Sequence, residues 1–248
     1  MEISGKTVII TGASSGIGEA IAMKLNELGV NLVLAARRED RLQKLTEELP
    51  SQKGKVITVK TDVTQAEDVK QLVKAAVDQF GKVDALINNA GIMPLSYLKN
   101  TKIQEWLSMV DVNIKGVLHC IAEVIPLMTA QRSGHIINIS SNAGRMVFPT
   151  GAVYCATKHA INALTDGMRM ELGPEFNIKI TCIEPGAVKT ELTQTITDSE
   201  VEGFFASDAL NFDFLDVEHI VSGVVYALEQ PEGVTVGDIL IQSTAQPA

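Results

Sequence analysis

The segment KTVIITGASSGIGEA, Lys6–Ala20, decides the architecture. Its first part, KTVIIT, is a short β-branched apolar run, the signature of a buried strand. From Ile17 onward the pattern IGEAIAMKLNELG takes a helical period. Between them lies the turn TGASSGIG, Thr11–Gly18. Gly12, Gly16 and Gly18 free the backbone there and leave room for a pyrophosphate to approach. The helix start that follows offers unpaired N–H donors and the positive end of a dipole. A glycine-rich turn alone serves many tight bends. A turn that follows a strand and precedes a helix has the context that dinucleotide binding requires. Gly12, Ser14, Ser15, Gly16, Ile17 and Gly18 are therefore expected to contact a dinucleotide.

The same alternation continues outward from this segment. NLVLAA is followed by EDRLQKLTEEL, KVITVKTDV by AEDVKQLVKAAVDQF, and VDALINNAG comes next. GHIINISS, IKITCIEPG and GDILIQS complete the series of strand-like runs. Nearly continuous apolar strands alternating with helices predict an α/β doubly wound fold, a parallel sheet covered on both faces. Gly29 and Gly81 stand where helices are expected to stop. No repeat or linker interrupts residues 1–248, so one domain is the expectation.

The end of the second strand, LVLAARRED, bears on the choice of dinucleotide. An NAD site usually carries an acidic group here for the ribose hydroxyls. This chain has Ala36, Arg37 and Arg38 instead. Paired guanidinium groups suit a 2′-phosphate, so NADP(H) is expected as cofactor; the alternative is two ordinary surface charges opening the next helix.

A net charge of -9, with no basic run, argues against nucleic acid or an anionic membrane as partner. With 46% hydrophobic residues the chain can bury a large core. Its opening residues lack the pattern of a signal peptide, and no uninterrupted apolar run is long enough to span a bilayer. Cys120, Cys155 and Cys182 are scattered and read as buried free thiols, which points to a reducing, cytoplasmic compartment. His119, His135, His159 and His219 show no metal-ligand spacing, and no metal is expected.

GAVYCATKHAINALT, Gly151–Thr165, reads as a small-residue helix made for burial, except for Tyr154 and Lys158. Four residues apart, these two share one helix face. TGASSGIG, NNAG (Asn88–Gly91) and YCATK (Tyr154–Lys158), in this order and at these separations, together resemble the short-chain dehydrogenase/reductase family over nearly the whole chain. The resemblance implies a seven-stranded Rossmann fold, NAD(P) binding and hydride transfer at a carbonyl carbon. It implies Tyr154 as the acid/base, with Lys158 drawing the phenol below its usual pKa of ~10 and holding the nicotinamide ribose. Ser141, at the end of HIINISS, matches the position that donates to the developing oxyanion; Ser140 is its neighbour and alternative. Asn113 matches a fourth catalytic position that holds a proton-relaying water; a plain helix asparagine is the rival reading.

The resemblance also assigns Asn89, Ala90 and Gly91 to the adenosine-side wall. Asp62 and Val63 match an adenine-contacting pair, although Asp62 equally reads as a helix cap. In EPGAVKT, Pro185, Gly186, Val188 and Thr190 match the segment that holds the carboxamide; Glu184 stands where the family often has asparagine. NNAGIM, AVYCATK and EPGAVKTEL are most similar to the clavulanic acid and broad-specificity NADP-dependent hydroxy-acid dehydrogenase branches.

Residues 191–214 are acidic, with Phe204, Phe205, Phe212 and Phe214, and in this family such a segment is a substrate lid. The phenylalanines line a pocket or anchor the lid. No Lys or Arg follows Lys189, which disfavours substrates carried on phosphate-rich or acidic carriers. A small carbonyl or alcohol is the expected substrate. The apolar helices from Ile103 to Ala130 and from Tyr154 to Leu172 are those the family pairs between subunits, so a homodimer or homotetramer is expected.

Overall fold

The computed structural model describes residues 2–50, 53–201 and 212–246. KTVIIT forms β1 (Thr7–Thr11), and the glycine turn leads into α1 (Gly16–Glu27). β2 (Asn31–Ala36), α2 (Glu39–Glu48), β3 (Val56–Lys60), α3 (Ala66–Phe80) and β4 (Ala85–Asn88) follow. Next come α4 (Ile103–Val110), α5 (Gly116–Gln131), β5 (Gly134–Ile139), α6 (Ala152–Phe176), β6 (Ile178–Pro185), α7 (Val217–Glu229) and β7 (Asp238–Ile241).

The strands form one seven-stranded sheet in the order β3-β2-β1-β4-β5-β6-β7, and every neighbouring pair is parallel. This is the expected doubly wound Rossmann architecture. Its cause is visible in the strand residues. Val8 and Ile10 of β1 join Leu32 and Leu34 of β2 in one core, beneath Ile21, Leu25, Leu42 and Val224 of α1, α2 and α7. Ile9, Val33 and Ala35 point the other way, toward Leu72, Val124, Met128 and Ile161 of α3, α5 and α6. Burial on both faces is why the strands read as unbroken apolar runs rather than alternating ones.

After β3, at one edge, the chain crosses to β4 on the far side of β1. At such a reversal the connections leave a crevice outside the carboxyl ends of the strands, where this fold class binds ligands. Gly81 ends α3 in a left-handed conformation with φ 77°, its N–H bonded to the Val77 carbonyl. Gly29 does the same work after α1, also at φ 77°.

The helix expected over Ile103–Ala130 is not uniform. Asp111–Lys115 forms a π turn between α4 and α5. Together, Ile103–Gln131 spans 29 residues and is apolar enough, by length and composition, to cross a membrane, although Glu105, Asp111, Lys115 and Glu123 interrupt it, so no uninterrupted apolar run of that length occurs. Here Val117, Cys120, Ile121, Val124 and Met128 face the core, and the π turn carries Asp111 and Lys115. The three cysteines are free and buried, as expected.

Candidate active site

The phosphate turn is packed too closely to carry side chains at two of its glycines. A Cβ on Gly12, where φ is +64°, would lie 2.8 Å from the Cα of Ala90. A Cβ on Gly18 would lie 2.4 Å from the Gly12 carbonyl oxygen. The turn therefore presents bare backbone ahead of the α1 N-terminus. Asn89 fastens it to β4, its amide donating to the carbonyls of Thr11 (2.9 Å) and Gly12 (3.1 Å). The Thr11 hydroxyl accepts the N–H groups of Asn89 (3.0 Å) and Ala90 (3.1 Å), a tie the sequence reading missed. Its signal was a threonine at the last position of β1.

Arg38 lies across this turn. Its Nη2 donates to the Ser15 hydroxyl at 2.6 Å, and Nε and Nη2 reach the Ser14 hydroxyl at 3.2 Å. Arg37 is exposed on the rim. At the end of β3, the Asp62 carboxylate accepts from the Thr64 N–H (3.0 Å) and hydroxyl (2.8 Å). It thus caps its own turn rather than α3, whose capping residue is Gln65. Val63 packs under Gly116 of α5.

One cleft of about 370 Å³ brings these parts together. Gly12, Ser14, Ser15, Gly16, Ile17, Arg37, Arg38, Asp62, Val63, Asn89, Ala90, Gly91 and Thr190 line it, and so do Tyr154 and Lys158. Gly18, Asn113, Ser141, Pro185, Gly186 and Val188 are not part of its wall. Ile92, Leu192, Gln194, Thr195 and, above all, Glu191 are wall residues the sequence reading did not single out as site residues.

Tyr154 and Lys158 are both buried in α6, at 5% and 8% exposure. The Lys158 ammonium donates to the Ile139 carbonyl at 2.9 Å and stands 5.7 Å from the Tyr154 ring centroid. Burial pushes the phenol up to about 12, partly offset by a hydrogen bond with Ser141. Burial also draws the ammonium down to about 8. The expected lowering of the phenol is thus reversed in the protein alone. Desolvation of a buried group outweighs a cation whose proton is engaged by a backbone carbonyl.

Ser140 and Ser141 lie just past the end of β5 and bond different partners. Ser141 turns toward Tyr154 and donates toward the Asn142 side chain (3.2 Å) and the Pro185 carbonyl (3.4 Å). Ser140 instead donates to the Asn162 side chain at 2.6 Å. Asn113 sits in the π turn, buried at 2% exposure. Its carboxamide brackets the Ile92 backbone, accepting from N–H and donating to C=O, both at 2.9 Å. It also donates to the Thr157 hydroxyl at 3.2 Å, one residue from Lys158.

The segment after β6 closes the cleft. The Gly186 N–H donates to the Ile241 carbonyl at 2.7 Å, and Val188 bridges to Leu215. Thr190 packs its methyl 3.2 Å from where a Gly16 Cβ would stand. Glu184 is buried, gripped by Arg145 Nε and Asn162 Nδ2, each at 2.6 Å. Of the segment 191–214, which the sequence led us to expect as a lid, residues 202–211, with Phe204 and Phe205, lie outside the described residues. Phe212 and Phe214 stack on each other with ring centroids 5.5 Å apart. Trp106 donates to the Ser96 hydroxyl at 3.2 Å and packs against the small cluster that includes Leu95, Met109, Tyr154 and Ile196, an ordinary packing role.

Residues 6–201 match the short chain dehydrogenase family. An uncharacterized oxidoreductase of Listeria monocytogenes is 49% identical over 248 residues, the full length of both chains. An alcohol dehydrogenase from the archaeon Thermococcus sibiricus, solved with 5-hydroxy-NADP, superposes with a TM-score of 0.86 at 29% identity, covering 98% of each chain. A serine dehydrogenase in its closed form with NADP+ superposes at 0.85 and 27% identity, again over 98% of each chain. The chain belongs to the short-chain dehydrogenase family and is an oxidoreductase of that family.

Proposed function

We propose that this oxidoreductase uses NADP(H) and moves a hydride between the nicotinamide and a small carbonyl or hydroxy compound. The observation that carries the reading is the shared cleft: Tyr154 and Lys158 line it together with Arg38, which is bonded to both serines of the phosphate turn. The NADP ligands of the similar alcohol and serine dehydrogenases support the same cofactor here.

The bare-backbone turn fits a pyrophosphate at Gly12, Ser14, Ser15, Gly16 and Ile17, with Gly18 packed behind it against Gly12 and Asn89. Arg37 and Arg38 would take the 2′-phosphate, and Asp62, Val63, Asn89, Ala90 and Gly91 the adenosine side. Lys158, Pro185, Gly186, Val188 and Thr190 would hold the nicotinamide end. When bound, that group supplies or accepts the hydride. Tyr154, kept protonated by burial, donates its proton to the carbonyl oxygen in reduction and takes it back in oxidation. Ser141 is the donor toward that oxygen. Lys158 is held in place by Ile139, and Asn113, in the π turn beside Thr157, steadies the wall behind it.

An acidic segment without Lys or Arg after Lys189 supports a small substrate over one on a phosphate-rich or acidic carrier. Residues 191–214 act as its lid within one catalytic domain. The exposed apolar residues Ile103, Leu107, Val110 and Leu118 of α4 and α5 support a homodimer or homotetramer, which light scattering on the eluted protein would size. A cytoplasmic setting suits the free thiols.

The test is consumption of NADPH against a panel of aldehydes and ketones, and reduction of NADP+ by a panel of hydroxy acids. Stoichiometric oxidation by a small carbonyl is the expected result. Tight NADPH binding with no turnover on any of the panel would favour a non-catalytic dinucleotide sensor instead. Arg38→Asp should raise the KM for NADPH far more than that for NADH; equal effects would overturn the cofactor assignment.

A further inference from the structure

Arg38 and Arg41 stand one turn apart at the start of α2, and their guanidinium groups close on a single carboxylate. Arg38 Nη1 donates to Glu191 Oε2 at 3.0 Å, and Arg41 Nη1 donates to Glu191 Oε1 at 2.7 Å. The remaining Arg38 donors engage the hydroxyls of Ser14 and Ser15. Two guanidinium groups and the two turn serines therefore gather at one rim of the cleft, with one acid side chain between the arginines. Hydrogen bonds from Arg41 and Arg38 hold the Glu191 carboxyl below its ordinary range, so it is ionised at neutral pH.

We propose that this is an anion subsite with an internal occupant: Arg41 is a further cation for the 2′-phosphate, and Glu191 is its built-in competitor. The pair then sets how strongly the protein prefers NADP(H) over NAD(H). This rests on the NADP(H) reading above and adds two residues to it.

The physical reason is that the same donors cannot serve both anions. A phosphate monoester carries about 1.5 to 2 negative charges and three acceptor oxygens, against one charge and two oxygens on Glu191. It displaces the carboxylate, and Glu191 moves into solvent, to which it is already part-exposed. A dinucleotide without that phosphate makes no demand on the two arginines and leaves the Glu191 contacts as they are. The competitor thus weakens NADP(H) binding selectively. Asp40 and Glu19 add to the negative potential around Arg41 but do not bond its guanidinium in the way Glu191 does.

The experiment is calorimetric measurement of Kd for NADP+ and for NAD+, separately, on the unsubstituted protein and on Glu191→Gln, Arg41→Gln and Arg38→Gln. Glu191→Gln should tighten NADP+ about two- to fivefold, the range that an exposed ion pair supplies. Arg41→Gln should weaken NADP+ about five- to tenfold, the loss of a charge-assisted contact. NAD+ should stay within about twofold throughout, which also checks that the fold is intact. The gain from Glu191→Gln should shrink in the double variant with Arg41→Gln. If neither Glu191→Gln nor Arg41→Gln shifts NADP+ affinity while Arg38→Gln weakens NADP+ alone, the subsite is wrong and the cofactor reading stands. If NADP+ and NAD+ bind equally and Arg38→Gln moves neither, both fail.

Discussion

The ammonium of Lys158 is tied to β5, not to the phenol it accompanies: it donates to the Ile139 carbonyl at 2.9 Å and lies 5.7 Å from the Tyr154 ring centroid. The lysine positions charge beside the tyrosine without forming its hydrogen-bond partner. Tyr154 keeps its proton in the protein alone, pushed up to about 12. Tyr154→Phe should therefore lower kcat by about a thousandfold, within the range of lost general acid–base catalysis, with little change in NADPH affinity. Turnover within tenfold of the unsubstituted protein would remove Tyr154 from the proton transfer.

Lys158 costs stability for the function we assign it. Burial lowers it from 10.5 to about 8, so between these values the unfolded chain binds the proton more tightly than the folded one. The cost is full below pH ~8 and disappears as the pH rises through ~10.5, amounting to roughly 3 kcal/mol. Lys158→Met removes it and loses the bond to Ile139, which offsets about 1 kcal/mol. Urea unfolding at pH 7 should show a net gain of about 1–2 kcal/mol alongside lost turnover, and near pH 10.5 the gain should vanish. A destabilised variant at pH 7 would contradict this account of the site.

Asn113 holds the Ile92 backbone on both its polar sides and reaches Thr157. Asn113→Ala leaves the Ile92 N–H and C=O without those partners, at a cost of about 2–3 kcal/mol. Thermal unfolding and steady-state rates on the same sample should fall together, with kcat down more than KM rises. Full turnover in a destabilised protein would leave Asn113 a purely structural residue.

His135 is an acid-sensitive point far from the cleft. Its Nε2 lies 2.8 Å from the Thr181 hydroxyl, which itself donates to the Val236 carbonyl at 2.7 Å. The hydroxyl can then only accept, so the ring carries its proton on Nε2. Nδ1 is buried without a hydrogen-bond partner among the described residues. Burial, with a smaller contribution from Lys179, pushes the imidazole down to about 3. Its contribution is complete above pH ~6.5 and drains away toward the folded value, about 2 kcal/mol being lost between pH 7 and pH 5. His135→Gln should flatten that acid limb in denaturant titrations at the two pH values; equal losses in both proteins would refute it.

The order of the elements was legible in the chain because strand burial on two faces and helix periodicity are local patterns. β1, the phosphate turn and α1 follow directly from Lys6–Ala20, and the spacing of Tyr154 and Lys158 puts both on one face of α6. Gly81 ends α3 where its residue type predicts, since a left-handed terminus is inexpensive only without a side chain. The choice of Ser141 over Ser140 rests on the alternation of a strand, although both residues lie just past the end of β5.

Contacts between distant segments were not legible. The π turn at Asp111–Lys115 answers to the Ile92 backbone that Asn113 must satisfy, and no local period announces it. Glu191 meets Arg38 and Arg41 only because the segment after β6 folds back over the turn beside β1. The direction of the Tyr154 shift is likewise decided by how deeply packing buries it, a property of the whole fold. The linear chain determined the architecture and which groups are offered for chemistry, through short-range periodicity and turn geometry. The tertiary structure decided their partners and protonation, because desolvation and long-range pairing exist only once the layers have closed.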